Sequence, residues 1–314
     1  MLDFFYLFYL DKTMSYPVGV ALNQQNIGQT IRQPSTANFL ISSKDRQDFS
    51  TTGGNPADFT ISKNSNLLNG FFTRIAPTEV VLDWCIDNVS PYWNNNLIYV
   101  QIPAGPQLTY LVPAGQYTVA TLLDLIVAGL SNVTYTFSLV ATPDGLKAIQ
   151  CALAAAPTVP INFQFKSVAN SGIDVSVLPT QLNLRLDTTG LSFPVDCPKL
   201  LPTQYIDFVS QTLTNNQSLR DASTSLTEQN ILFRWYFAWD SPEPLDTYGY
   251  PIYQGYKRFI QRREIPFPKQ IAWVPNQPIG QLSFQVYDDG GNILDSSLAA
   301  GEMEWFITAL VSEN

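Results

Sequence analysis

Gly280-Gln-Leu-Ser-Phe-Gln-Val-Tyr287, then Asp288-Asp-Gly-Gly-Asn292, then Glu304-Trp-Phe-Ile-Thr-Ala-Leu-Val311: these three stretches near the end of the chain decide the fold class. In the first, Leu282, Phe284 and Val286 alternate with Gln281, Ser283 and Gln285, the period-two pattern of a half-buried strand. The second is a cluster of turn residues. The third is apolar on both faces, which predicts a fully buried strand. A chain that closes on such a pair reads as an all-β sandwich or barrel.

Further strand signals lie upstream. Phe59 and Ile61 alternate with Thr60 and Ser62. Val80 to Ile86 and Leu97 to Ile102 are compact apolar runs, and Leu108 to Val112 follows a Pro-Ala-Gly-Pro turn. Thr134 to Val140 and Leu146 to Leu153 flank Thr142-Pro-Asp-Gly145, a hairpin turn. Phe163/Phe165, Val175/Val177 and Leu182/Leu184/Leu186 each alternate. Tyr205 to Ser210, Ile231 to Trp239 and Gln270 to Val274 complete the set. One helix interrupts them. In Tyr117 to Leu130, apolar Val119, Leu122, Leu123, Ile126, Val127 and Leu130 form a stripe, with Thr118 as N-cap and Gly129 near the end.

Three other regions differ in character. Residues 15–57 are rich in Asn, Gln, Ser, Thr and Gly, with one apolar knot at Phe39, Leu40 and Ile41; they read as an extended arm that orders only against the body or a neighbour. Residues 1–14 read as an upstream extension, with initiation expected at Met14. The apolar run Phe4 to Leu10 is too short to span a bilayer and lacks signal-peptide flanks. Residues 58–314 form the body. Within it, Asp240 to Pro268 reads as an elaborate loop that carries Tyr248, Tyr250, Tyr253 and Tyr256. Such a loop is either a binding surface or an ordered connection whose tyrosines pack down.

Composition narrows the chemistry. The 314 residues can bury a core without disulfide or metal staples. Charged residues make up 14%, against roughly 25% in ordinary soluble domains. That neutral polar surface, with 13% aromatics, suits packing against copies of the same chain. Net charge is −9, so no general attraction to nucleic acid is expected. The basic cluster Lys257, Arg258, Arg262 and Arg263 reads as local ion pairs or a solvated loop, or as a contact for an acidic neighbouring subunit. Histidine is absent, which removes Ser-His and Cys-His nucleophiles and the commonest zinc ligand. Cys85, Cys151 and Cys197 are dispersed, with no metal or disulfide spacing; Cys85 reads as a small buried hydrophobe.

Paired carboxylates remain, with Asp207, Asp221, Glu228, Asp240 and Glu243 as the candidates, although surface acids are the default. Asp288-Asp289 offers oxygens to a cation but lacks the spaced ladder of a calcium loop, and a β-turn accounts for it. The three Asn-x-Ser/Thr sequons at Asn88, Asn132 and Asn216 are expected by chance in so Asn-rich a chain. No catalytic residue, cofactor site or metal site is expected.

Several segments, taken together and in order, carry a resemblance. They are Asn38-Phe-Leu-Ile-Ser-Ser-Lys-Asp-Arg46, Val112-Pro-Ala-Gly-Gln-Tyr-Thr118, Tyr205-Ile-Asp-Phe-Val-Ser-Gln-Thr-Leu-Thr-Asn-Asn-Gln-Ser218, Pro268-Lys-Gln-Ile-Ala-Trp273, and Phe284 to Asn292 with Trp305 to Glu313. This ensemble resembles the penton, or vertex minor capsid, proteins of virophages and polinton-like viruses. The resemblance covers most of residues 35–314. It implies a single jelly-roll β-sandwich of two antiparallel four-stranded sheets, here with one amphipathic helix and long loops. It also implies a homopentamer at the fivefold vertices of an icosahedral capsid, beside a major capsid protein of double-jelly-roll type. The protein would reside in the virion, assembled in host cytoplasm or a virus factory. A host-surface glycan or receptor is a further possible partner, and a glycan-binding attachment protein is the alternative function. Phe39, Leu40, Ile41, Arg46, Tyr250, Tyr253 and Tyr256 are the candidate assembly residues.

Overall fold

The computed structural model describes residues 36–46, 54–62, 72–102, 105–142, 145–153, 158–159, 162–164, 178–182, 184, 192–194, 200–214, 231–237, 245–254, 256–272, 280–294 and 303–313. Expectations for residues 1–35, the Val175/Val177 pair, Cys197, Asp221, Glu228, Asp240 and Glu243 lie outside them.

In chain order the elements begin with β1 (Thr36–Ser42), β2 (Asp58–Ser62), β3 (Arg74–Trp84), β4 (Leu97–Gln101), β5 (Gln107–Leu111) and α1 (Val119–Leu130). Next come β6 (Tyr135–Ala141), β7 (Lys147–Leu153), β8 (Thr158–Val159), β9 (Asn162–Gln164), α2 (Leu178–Gln181) and β10 (Ser192–Pro194). The chain closes with β11 (Tyr205–Val209), α3 (Gln211–Thr214), β12 (Ile231–Tyr236), β13 (Phe259–Glu264), β14 (Ile271–Ala272), β15 (Gln281–Tyr287) and β16 (Glu304–Ser312).

The two closing strands do not pair with each other. β16 sits inside a sheet ordered β1-β16-β3-β13, and β15 inside a second ordered β12-β11-β15-β2. All of these pairings are antiparallel. Lettered B to I in chain order, as jelly-roll strands are, these eight read B-I-D-G and C-H-E-F. That is the order two interlocked Greek keys produce, so the fold is a single jelly roll.

Alternation explains the core. Trp305, Ile307, Ala309 and Val311 of β16 point inward, as do Leu282, Phe284 and Val286 of β15. Trp305 is the centre. Its ring meets Phe59 at 5.4 Å, Phe208 at 5.3 Å and Phe284 at 5.5 Å, and its indole N–H donates to the Pro56 carbonyl at 2.9 Å. Buried indoles carry a large apolar area and still need an acceptor, and Pro56 supplies it here.

Between β3 and β11 the chain leaves the sandwich and builds two smaller sheets, β5-β4-β9 and β10-β7-β6 with β8 beside β7. Helix α1 belongs to this insertion. Thr118 caps it: the Thr118 hydroxyl accepts from Thr121 N–H, and the Thr121 hydroxyl accepts from Thr118 N–H. Val119, Leu122, Leu123, Ile126 and Leu130 form its buried stripe. Asp246, far along the chain, accepts from Ala120 N–H at 2.8 Å with one oxygen and from Tyr248 and Tyr250 N–H with the other. One carboxylate thereby ties the segment between β12 and β13 to the start of α1, where negative charge is favoured.

The structure corrects four expectations. Thr36–Ser42, read as part of an arm, is the first strand of the sandwich and pairs with β16 over its whole length. Phe259–Glu264, read as loop, is an edge strand of the first sheet. Leu182, read as the start of an alternating Leu182/Leu184/Leu186 strand, instead sits buried in the turn that follows α2, and Leu186 lies outside the described residues. Cys85 is partly exposed, while Cys151 is buried, and burial pushes that thiol up to about 11.

Candidate assembly surfaces

Of the five candidate carboxylates, Asp207 lies within the described residues. Asp207 is buried and receives both Nε and Nη2 of Arg234, at 2.6 and 2.7 Å. The Arg234 guanidinium lies 3.8 Å from the Tyr205 ring centre, and its pKa is raised chiefly by the bond to Asp207. Asp288 accepts from Asn292 N–H at 2.8 Å and closes the turn after β15, and Asp289 accepts from Gln204 N–H at 2.8 Å and ties that turn to the residues before β11. Among the described residues no three His, Cys, Asp or Glu side chains converge as a metal site would require. Asn88 is buried and donates to the Tyr117 carbonyl, which makes that sequon inaccessible in the folded chain. Among the same residues no helix is long and apolar enough to cross a membrane.

The seven candidate assembly residues fall into two groups that the fold does not bring together as one surface. In β1, Ile41 is buried and Phe39 is half-buried, while Leu40 points outward and is 72% exposed. Arg46 is buried after the strand, its Nη1 donating to the Ser43 carbonyl at 2.8 Å. Tyr250 and Tyr256 are buried in the segment between β12 and β13. The Tyr250 hydroxyl lies 3.2 Å from both N and O of Lys147, and the Tyr256 hydroxyl accepts from Leu200 N–H at 2.8 Å. Burial pushes the Tyr256 phenol up. Tyr253 is half-buried and meets Tyr256 edge-on at 5.7 Å. These tyrosines pack down and fasten the segment to the insertion. Leu40 is the one candidate of the seven whose side chain is mostly in solvent.

The outer face of the first sheet supplies what the sequence reading missed. β16 was expected to be buried on both faces, yet Phe306 and Leu310 point out of the sandwich and are each 38% exposed. Leu40 in β1 and Ile260 in β13, 68% exposed, lie on the same face by register. Ion pairs frame these apolar positions: Lys44–Glu304 at 2.9 Å, Arg258–Asp83 at 2.9 Å and Arg262–Glu79 at 2.6 Å. Three of the four basic-cluster members are thus accounted for by position, Arg258 and Arg262 in these pairs and Arg263 turned inward beside Trp235. The available signal was that Glu304–Val311 is apolar at both parities. In a strand whose outward side chains are part-exposed, that pattern leaves apolar groups facing water.

No family model matches the sequence, and no curated protein matches it. Among solved structures, the chain is similar to the crystal structure of selenomethionine-labelled mavirus penton protein, at 14% sequence identity and a TM-score of 0.44, covering 89% of this chain and 99% of that chain.

Proposed function

We propose that this protein is a structural subunit of an icosahedral viral capsid, a penton protein whose homopentamers close the fivefold vertices beside a double-jelly-roll major capsid protein. The observation that carries the proposal is the outer face of the B-I-D-G sheet. On that face Leu40, Phe306, Leu310 and Ile260 stand between ion pairs, apolar side chains that gain only when a neighbour covers them. Burial of such a mixed face against neighbouring shell subunits removes apolar area from water while keeping the pairs at its rim. The low charge content and the penton-like sequence segments point the same way.

Light scattering on purified protein across a concentration series tests the proposal. Five-copy particles are expected as concentration rises. A strict monomer that also fails to enter assembled capsids overturns it.

A further inference from the structure

The sandwich opens along one edge. There β12 of the second sheet and β13 of the first are each hydrogen-bonded to a single neighbouring strand among the described residues. Between them lies a cleft of about 530 Å³, within the range of roughly 300–1,000 Å³ usual for small-molecule sites. Its walls are largely apolar: Val80, Ile231, Phe233, Trp235 and Ile265 line it, with Phe267, 93% exposed, at the rim. Alternation along β13 turns Phe259 and Arg263 inward and leaves Ile260, Arg262 and Glu264 in solvent. Arg263 therefore enters the cleft from the first sheet, and its guanidinium lies 4.3 Å from the ring centre of Trp235 on the second.

The other charges at the cleft are committed elsewhere. Arg234 is bound by both oxygens of Asp207, Lys269 donates to the Ile231 carbonyl at 2.9 Å, and Glu264 meets Arg262 at 3.4 Å. Arg263 has no hydrogen bond or ion pair with any described residue, and burial lowers its pKa. Its place over the indole sets the plane of the guanidinium fork, which matches the two oxygens of a carboxylate. An added strand is a poor occupant of this edge. Arg262 and Glu264 stand along the exposed side of β13, and Pro266 and Pro268 just beyond it have no N–H to give a ladder. A compact molecule entering between the sheets meets no such obstacle. Its apolar body covers the walls while its carboxylate reaches Arg263.

We infer that the β12–β13 cleft binds a small organic carboxylate, its anionic group held by Arg263 over Trp235 and its apolar body by Ile231, Phe233 and Ile265. The site goes beyond the self-assembly reading above and does not depend on it. Ligand-observed NMR titrations of the full chain with 4-phenylbutyrate and octanoate, each beside its own amide, test the assignment. Both acids should bind. Each amide keeps the apolar body but loses the charge, and should bind more weakly by roughly tenfold or more. R263Q should weaken the acids by a similar factor, roughly tenfold, and leave the amides unmoved. I265W, which adds bulk to the cleft wall, should abolish binding of the acids with Arg263 still in place. Circular dichroism checks the folding of both variants, and the comparison of acid with amide on wild type stands whether or not they fold. Failure of both acids to bind overturns the inference, as does equal affinity for acid and amide. Unchanged affinity for the acids in folded R263Q or folded I265W overturns it too. None of these readings involves oligomeric state, so the capsid proposal is judged separately by light scattering.

Discussion

Asp87 is a carboxyl with little to stabilise its charge. It is mostly buried just after β3, no hydrogen bond to its side chain is present among the described residues, and burial raises its pKa from 3.8 to about 6. In the unfolded chain it ionises near its ordinary value. The folded state therefore holds the proton more tightly between those two pH values, and the unfolded state binds fewer protons there. Stability from this group is fully present below about pH 4 and is lost as pH rises through 6. Urea titrations of wild type and D87N should show the variant more stable at pH 7.5, with the gap closing toward pH 4; a gap independent of pH would refute this. Asp207 is the opposite case, a buried carboxylate matched by the Arg234 fork. Removing it with D207A strands a guanidinium among Tyr205 and Tyr236. Denaturant unfolding should show a loss of roughly 3 kcal/mol, at the low end for broken buried pairs because Arg234 keeps some contact with water.

At the scale of elements, α1 offers a test in which two principles disagree. Gly129 lies in its last turn, and helix propensity alone favours Gly→Ala by about 1 kcal/mol. A Cβ built at Gly129 would lie 2.1 Å from the Tyr110 ring of β5. The ring must move or the helix must shift, at a typical overpacking cost of about 1–3 kcal/mol. G129A is therefore expected to lower the thermal midpoint, and a rise would mean that Tyr110 yields freely. The strands show what was legible beforehand. β15 alternates cleanly in sequence and in space, because one of its faces is sealed against Trp305 and Phe59. The α1 stripe and its Thr118 cap were equally plain. β13 was hidden by its own edge position: Arg262 and Glu264 alternate with Gln261 and Arg263, so charge masks the period that Phe259 and Ile260 begin. The assembly residues were legible only by type. Tyr250, Tyr253 and Tyr256 have the chemistry of a contact surface, but whether a tyrosine points at Lys147 and Leu200 or at a neighbour is set by long-range packing.

For the whole molecule, the sharpest consequence concerns where the body begins. Sequence character divides the chain at residue 58, and on that division removal of residues 15–56 should leave the body folded. The topology puts the division elsewhere. β1 is the outer strand of the B-I-D-G sheet, it pairs with β16 from Thr36↔Ser312 to Ser42↔Phe306, and it buries Ile41 in the core. The following turn is also tied in, since the Ser43 hydroxyl accepts from Trp305 N–H at 3.0 Å and the Pro56 carbonyl holds the Trp305 indole at 2.9 Å. A chain starting at residue 57 would leave the β16 edge open and the Trp305 indole without its acceptor. Each buried group so orphaned costs about 1–3 kcal/mol, on top of the lost burial of Ile41, against a total stability of about 5–15 kcal/mol. Two truncations separate the divisions. A chain starting at residue 36 keeps all eight strands and should melt cooperatively, within a few degrees of the full chain. A chain starting at residue 57 should lose the cooperative transition in near-ultraviolet circular dichroism. If the shorter chain melts as the longer one does, β1 is a docked arm after all, and the sandwich is complete with seven strands.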